Sequence, residues 1–334
     1  MDSIESWMKQ YLVKNQIVAA LILVALGWFI LQITEILIVF FIAFILMAAL
    51  SPYVKILHRH RVPRPVGSGI VYVITLLLVV LLVVPIVPFF VSQMHSLLLN
   101  LPIFVNSVSK IFGFPLQVSQ LQDYATSQLG NISAGALAIT TQAFSIVFSI
   151  ILVFVLSFYL MIDQSRVRRE LVAIFPKKQE QKIISTLDLI EERLGAWFRG
   201  QLTLCVFIGF ITWIALTVAG LPFALPLAIL AGMLEIIPTL GPILAAVPAV
   251  VVALSISPVM ALIVVAIYIV IQMLENNLLV PKVMQRAVGL NPIIIILVIT
   301  IGAKLLGVVG ALLAIPFVSM LIIIFKNFRK EKVS

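Results

Sequence analysis

Apolar runs near the roughly 20 residues needed to cross a hydrocarbon core of about 30 Å recur along this chain, at 11–31, 34–52, 66–91, 143–162, 201–219 and 258–275. Lipid offers no hydrogen-bond partner to an open peptide group, so each run must be helical. With 63% of its 334 residues hydrophobic and 10% charged, against roughly a quarter charged in a soluble domain, the chain cannot cover a water-facing surface. The bilayer is its solvent. The formal charge of +9 sits in connections between the runs, as the positive-inside rule expects, and calls for no nucleic-acid partner. The single cysteine, Cys205, lies inside an apolar run, so neither a disulfide framework nor a thiolate metal site is available. The first run has no convincing cleavage site and reads as a retained span.

Basic residues orient the spans. Lys55, Arg59, Arg61 and Arg64, and the series from Arg166 to Arg199, are expected on the cytoplasmic side. Residues 92–142, with only Lys110 and Asp123 charged, are expected outside. Residues 276–291 and the tail with Lys326, Arg329, Lys330 and Lys332 return to the cytoplasm. Both termini are then cytoplasmic. The connection at Gln32, Thr34 and Glu35 is short enough to predict an antiparallel hairpin between the first two spans.

Parity leaves two apolar pieces that begin and end on the same side. Residues 223–254 are broken by Pro238, Gly241 and Pro242, and residues 292–325 by Gly302, Gly307 and Gly310. The shorter legs of about 11 to 14 residues reach only about 16 to 21 Å at 1.5 Å per residue, too little to cross. Pro226-Leu-Ala-Ile-Leu leading to Gly241-Pro-Ile-Leu-Ala-Ala-Val-Pro248 is echoed by Pro292-Ile-Ile-Ile-Ile leading to Gly310-Ala-Leu-Leu-Ala-Ile-Pro316. The expectation is one all-α polytopic membrane domain over 1–334. It has about six full spans and two opposed broken-helix hairpins, nominally about eight transmembrane helices. An extracytoplasmic amphipathic segment fills 92–142, with helices broken at Pro102 and Pro115. A cytoplasmic one fills 163–200, its stripe of Ile183, Leu187, Ile190, Leu194 and Trp197 lying on the membrane or against another subunit.

Ionisable groups inside apolar stretches are the sharpest functional signal, since a charge at the bilayer centre costs at least about 2.5 kcal/mol. Glu235, before Pro238, and Lys304, before Gly307, occupy nearly equivalent places in the two hairpins. They are expected to face one cavity, where Glu235 binds a cation or exchanges a proton and Lys304 supplies a counter-charge; the competing reading is a structural ion pair. Gln272, Glu275 and Asn276 fall at i, i+3 and i+4, a polar helix face that would line an inner vestibule. Glu35 is an interfacial carboxylate. His58, His60 and His95 stand with no nucleophile or metal partner, no nucleotide-binding loop is present, and no cofactor or enzymatic reaction is expected.

The C-terminal half resembles the autoinducer-2 exporter family, also called PerM-like, through Glu235-Ile-Ile-Pro238-x-x-Gly241-Pro242, Glu275-Asn-Asn-x-x-x-Pro281-x-x-Met284, Gly289-Leu-Asn-Pro292 and Gly307-x-x-Gly310-x-x-x-Ala314-Ile-Pro316. Trp197-Phe-Arg199-Gly200-Gln201 is similar to the family pattern as well. The resemblance implies a multi-pass transporter of the bacterial cytoplasmic membrane that assembles as a homo-oligomer, a pentamer being the expected form. Some members resemble exporters of the quorum-sensing signal autoinducer-2, and others sodium or lithium/proton antiporters. The primary expectation is export of autoinducer-2 or a similar small polar solute, because a single deep carboxylate beside a lysine suits an organic solute. Cation/proton antiport and a non-transporting membrane scaffold are the alternatives.

Overall fold

The computed structural model describes residues 16–112, 136–238, 240–283 and 292–329, and every regular element among these is helical. In chain order the α-helices are α1 (Gln16–Gln32), α2 (Thr34–Arg59), α3 (Arg64–Phe112), α4 (Ala136–Ile162), α5 (Gln164–Ala173), α6 (Glu180–Val218), α7 (Ala224–Leu234), α8 (Leu240–Ile256), α9 (Pro258–Leu274), α10 (Val280–Val283) and α11 (Pro292–Arg329). A π-helical turn, Glu275–Leu279, joins α9 to α10. Five stretches are long and apolar enough to cross a membrane, or six if α4 and α5, bent by 72° at Asp163, form one span. The nominal count of eight is therefore approximate. Large apolar side chains such as Leu81, Val206, Val218 and Leu262 are more than two-thirds exposed, as lipid-facing surfaces require.

Several expected boundaries move. Across Ile33 the helical hydrogen bonds continue, from Ile33 N–H to Phe29 and from Leu37 N–H to Ile33, at 3.1 and 3.0 Å. The Ile33 dihedrals of −97° and 8° nearly match the −89° and 12° of Asp163, so the chain bends there and does not reverse. The antiparallel hairpin is replaced by a bend. Helix α3 runs 49 residues, through Pro102 and past the expected start of a separate outer segment; Pro115 lies outside the described residues. Its far end has a partner to reach: Phe104 meets Phe223 edge to face at 6.4 Å, where the first broken hairpin begins. The amphipathic stretch before Gln201 is likewise continuous with its span in α6, a 39-residue helix. Its buried Ile190, Leu194 and Trp197 pack with Ile45 of α2 and Ile299, Ala311 and Ile315 of α11. This chain covers that stripe itself.

Helices α2 and α6 cross backbone to backbone. A Cβ on Gly195 would lie 2.3 Å from the Ala48 carbonyl oxygen, so only glycine allows the approach. Pro52 has no N–H to return to Ala48, and Arg199 reaches the carbonyl left open there and its neighbour, its Nη1 donating to Ala49 at 3.0 Å and Ala48 at 3.5 Å. Nearby, Glu191 is 5% exposed and ties three helices together. Ser51 Oγ of α2 donates to it at 2.7 Å, Gln164 of α5 and Arg168 donate to its other oxygen, and Lys55 stands 3.6 Å away. Arg64 at the start of α3 donates to Gln164. Removing one member of a buried charged network strands the others. Glu191→Ala is accordingly expected to lower stability by about 3 kcal/mol, read as a fall in the unfolding midpoint in detergent; an unchanged midpoint would show the network to be dispensable.

The two broken segments fold by different devices. Between α7 and α8 the chain leaves the helix at Glu235–Pro238 and re-enters at Leu240. Gly241 and Pro242, expected at the break, lie in the first turn of α8, where a proline needs no N–H. Gly241 serves a close approach, since a Cβ there would sit 2.1 Å from the Leu234 carbonyl oxygen. In α11 the helical dihedrals fail at Leu306 and Gly307, the latter at φ +62°. Gly302 and Gly310 are not breaks but the contact across one: a Cβ on either would meet the other's carbonyl oxygen at 2.4 or 2.0 Å. In an unbroken helix, residues eight apart stand about 12 Å apart. The chain therefore doubles back at Gly307.

Candidate functional site

Close helix contact places the first polar group. Helices α6 and α7 run antiparallel and touch through Gly209 and Gly232, where a Cβ on Gly232 would meet the Cys205 carbonyl oxygen at 2.7 Å and the Gly209 Cα at 3.2 Å. Small residues let backbones approach this closely in membranes. Continuing the pairing along both helices brings Gln201 opposite Glu235. Gln201 Nε2 donates to the Glu235 carbonyl oxygen at 2.7 Å, satisfying a peptide group that the helix break sets free.

The Glu235 carboxylate is 0% exposed, and neither of its oxygens has a hydrogen-bond donor among the described residues. Facing it is the carboxyl group of Glu275, 3% exposed and within side-chain hydrogen-bonding reach, so that one proton can be shared between the two. Glu275 opens the π-helical turn after α9. Gln272 Nε2 donates to its Oε2 at 3.0 Å and reaches Asn276 Oδ1 at 3.5 Å. The expected polar face is thus split, with Glu275 turned inward and Asn276 exposed. Gln201 Oε1 is buried with no donor, a free acceptor beside the pair, and Cys205 borders the same place. Carboxylate and amide oxygens are the ligands a hard cation prefers.

Lys304 does not join Glu235. It is exposed and forms no ion pair with a described carboxylate. The reason is helical phase: Gly302 faces the returning leg, and two residues on, about 200° around the helix, Lys304 faces away. The hairpins still meet, because Ile237 at the tip of the first packs into the cluster containing Ile299 and Ile315 of the second. Thr239, at that tip, lies outside the described residues.

Two buried carboxylates thus meet at a helix break and a π turn between apolar helices. The profile of the AI-2E family transporters matches residues 17–330. The chain belongs to the AI-2E transporter family. It is 29% identical over 304 residues to the Bacillus subtilis protein named "Putative transport protein YueF", covering 86% of this chain and 82% of that protein. To the protein named "AI-2 transport protein TqsA" of Escherichia coli it is 27% identical over 294 residues, 84% of this chain and 83% of that one. For this AI-2E family member, the sequence reading had Glu235 and Glu275 as separate candidates and missed both their pairing and Gln201. The signal for Gln201 was present, as a side-chain amide heading an apolar run.

Proposed function

We propose that this AI-2E family member is a secondary transporter of the bacterial cytoplasmic membrane in which Glu235 and Glu275 form the coupling site, exchanging protons for a small monovalent cation such as sodium or lithium. The observation that carries the reading is the pair itself. Two carboxylates held in apolar surroundings without a positive neighbour need a compensating charge, which a proton or a metal cation supplies by turns. Gln201 Oε1 completes an oxygen-lined site. The broken hairpin beside it provides non-helical backbone, which membranes tolerate where it lines a cavity. The expectation of an organic solute rested on one deep carboxylate next to Lys304, and two carboxylates with the lysine turned outward reverse that balance. No chemical step is required of any residue.

Export of autoinducer-2 or a similar small polar solute through the same site is the second reading, favoured by the name of the relative TqsA. In either case assembly as a homo-oligomer, with a pentamer as the form to test, and a cytoplasmic C-terminus belong to the proposal. The deciding experiment uses proteoliposomes holding an imposed pH gradient. Antiport predicts that added sodium or lithium collapses the gradient and that loaded autoinducer-2 stays inside. Release of autoinducer-2 with no cation effect would select solute export, and no flux of either would leave a membrane scaffold.

A further inference from the structure

A large cleft opens on another face of α6 from the carboxylate pair, since Arg199 and Leu202 line it while Gln201 between them donates to Glu235. It encloses about 940 Å³ between α2, α3, α4 and α6, and its wall is mostly apolar, with the hydroxyls of Thr75 and Ser149 along it and its one charged group, Arg199, on α6. Along α2 it runs from Ile42 to Tyr53, eleven residues or about 16 Å, roughly half of a hydrocarbon core of about 30 Å. The cleft is thus one leaflet deep. Leu78 of α3 and Phe154 of α4 line its length, and Arg199 and Tyr53 its polar end.

That end lies at the basic face of the protein, since Lys55 and Arg59 follow Tyr53 within two turns of α2. The Arg199 guanidinium has no carboxylate partner among the described ion pairs. Only its Nη1 is engaged, by the Ala48 and Ala49 carbonyls, so Nε and Nη2 have no acceptor among the described residues. Tyr53, 48% exposed, brings a phenol to the same level, where tyrosine favours the membrane interface. A cation with spare planar donors suits a phosphate, and the apolar slot beneath suits a chain. We propose that the cleft is a binding site for an anionic phospholipid, its phosphate on Arg199 and Tyr53 and an acyl chain between α2, α3 and α4.

The test is native mass spectrometry of the full chain released from detergent with added phosphatidylglycerol or phosphatidylcholine of the same chain length. The wild type is expected to retain phosphatidylglycerol preferentially. Arg199→Gln, which keeps a donor for Ala49, is expected to lose that preference about tenfold, and Arg199→Lys to keep most of it. Leu78→Trp, at a position 56% exposed and so tolerant of a larger side chain, is expected to fill the slot and reduce retention of both lipids. Equal retention of the two lipids by the wild type, or an undiminished preference in Arg199→Gln, overturns the assignment. So does a Leu78→Trp variant that dissociates an oligomer while lipid retention stands, because the cleft then belongs to a second copy of the chain.

Discussion

Glu235→Gln is expected to stop cation-driven proton movement in proteoliposomes, with a loss of about 100-fold, the scale on which deleting one proton-transfer group acts, and to leave the protein at least as stable as the wild type. The two halves of this expectation have one cause. The Glu235 carboxyl group is fully buried and the polar group facing it is the carboxyl group of Glu275, so with both ionised its charge contributes desolvation cost and repulsion. A near-isosteric amide removes that cost and the repulsion from Glu275 together. A residue kept for folding would behave in the opposite way. Glu275→Gln provides the contrast, since Gln272 donates to that carboxylate at 3.0 Å and the substitution disturbs an existing hydrogen bond. Flux that survives Glu235→Gln would sink the coupling site, and lost flux accompanied by a collapsed unfolding midpoint would return Glu235 to a structural role.

The second large effect concerns the returning leg of α11. Gly310→Ala is expected to destabilise the chain by about 3 kcal/mol or more, because its Cβ would sit 2.0 Å from the Gly302 carbonyl oxygen and 2.7 Å from the Leu306 Cβ. Backbone cannot yield as a side-chain tip can. Gly307→Ala makes a useful pair with it. Nothing lies within 4 Å of a Cβ there, so its whole cost is the dihedral pair of +62° and −145°, about 1 to 3 kcal/mol. Unfolding midpoints in one detergent should rank wild type above Gly307→Ala and Gly307→Ala above Gly310→Ala. If Gly310→Ala unfolds with the wild type, the two legs of α11 do not touch.

What the sequence revealed depended on whether the signal was local. Spans were readable because about 20 apolar residues can do little else in a bilayer, and the boundaries of α9 fell within a residue of expectation, with Ser257 accepting from the Met260 N–H and Pro258 opening the helix. Helix continuity was not readable. Nothing in Ile33 distinguishes a bend from a reversal, and Pro102 in α3 breaks nothing, because neighbours can re-satisfy a membrane helix that carries proline. The carboxylate pair was half visible: Glu235 and Glu275 stood out as charges, but their meeting depends on the Gly209–Gly232 contact and on the π turn, neither of which announces itself in composition. Lys304 was misplaced for a similar reason. Its depth followed from its position in the run, whereas its direction followed from which face of the leg Gly302 commits to Gly310.

The π turn at Glu275 changes what a movement at this site would cost. A turn of this kind holds one residue more than the α-helix around it, like a wrinkle in a carpet, and a wrinkle travels by lifting a small patch at a time. Passing the surplus residue along the chain exchanges hydrogen bonds one by one, each worth about 1 kcal/mol net, and every step turns the side chain it leaves by about 100°. Glu275 sits on the first residue of the wrinkle. A one-residue shift of the wrinkle would carry Glu275 toward Glu235 or away from it, so on the proposed mechanism two states of the carboxylate pair would need no rearrangement of the surrounding bundle.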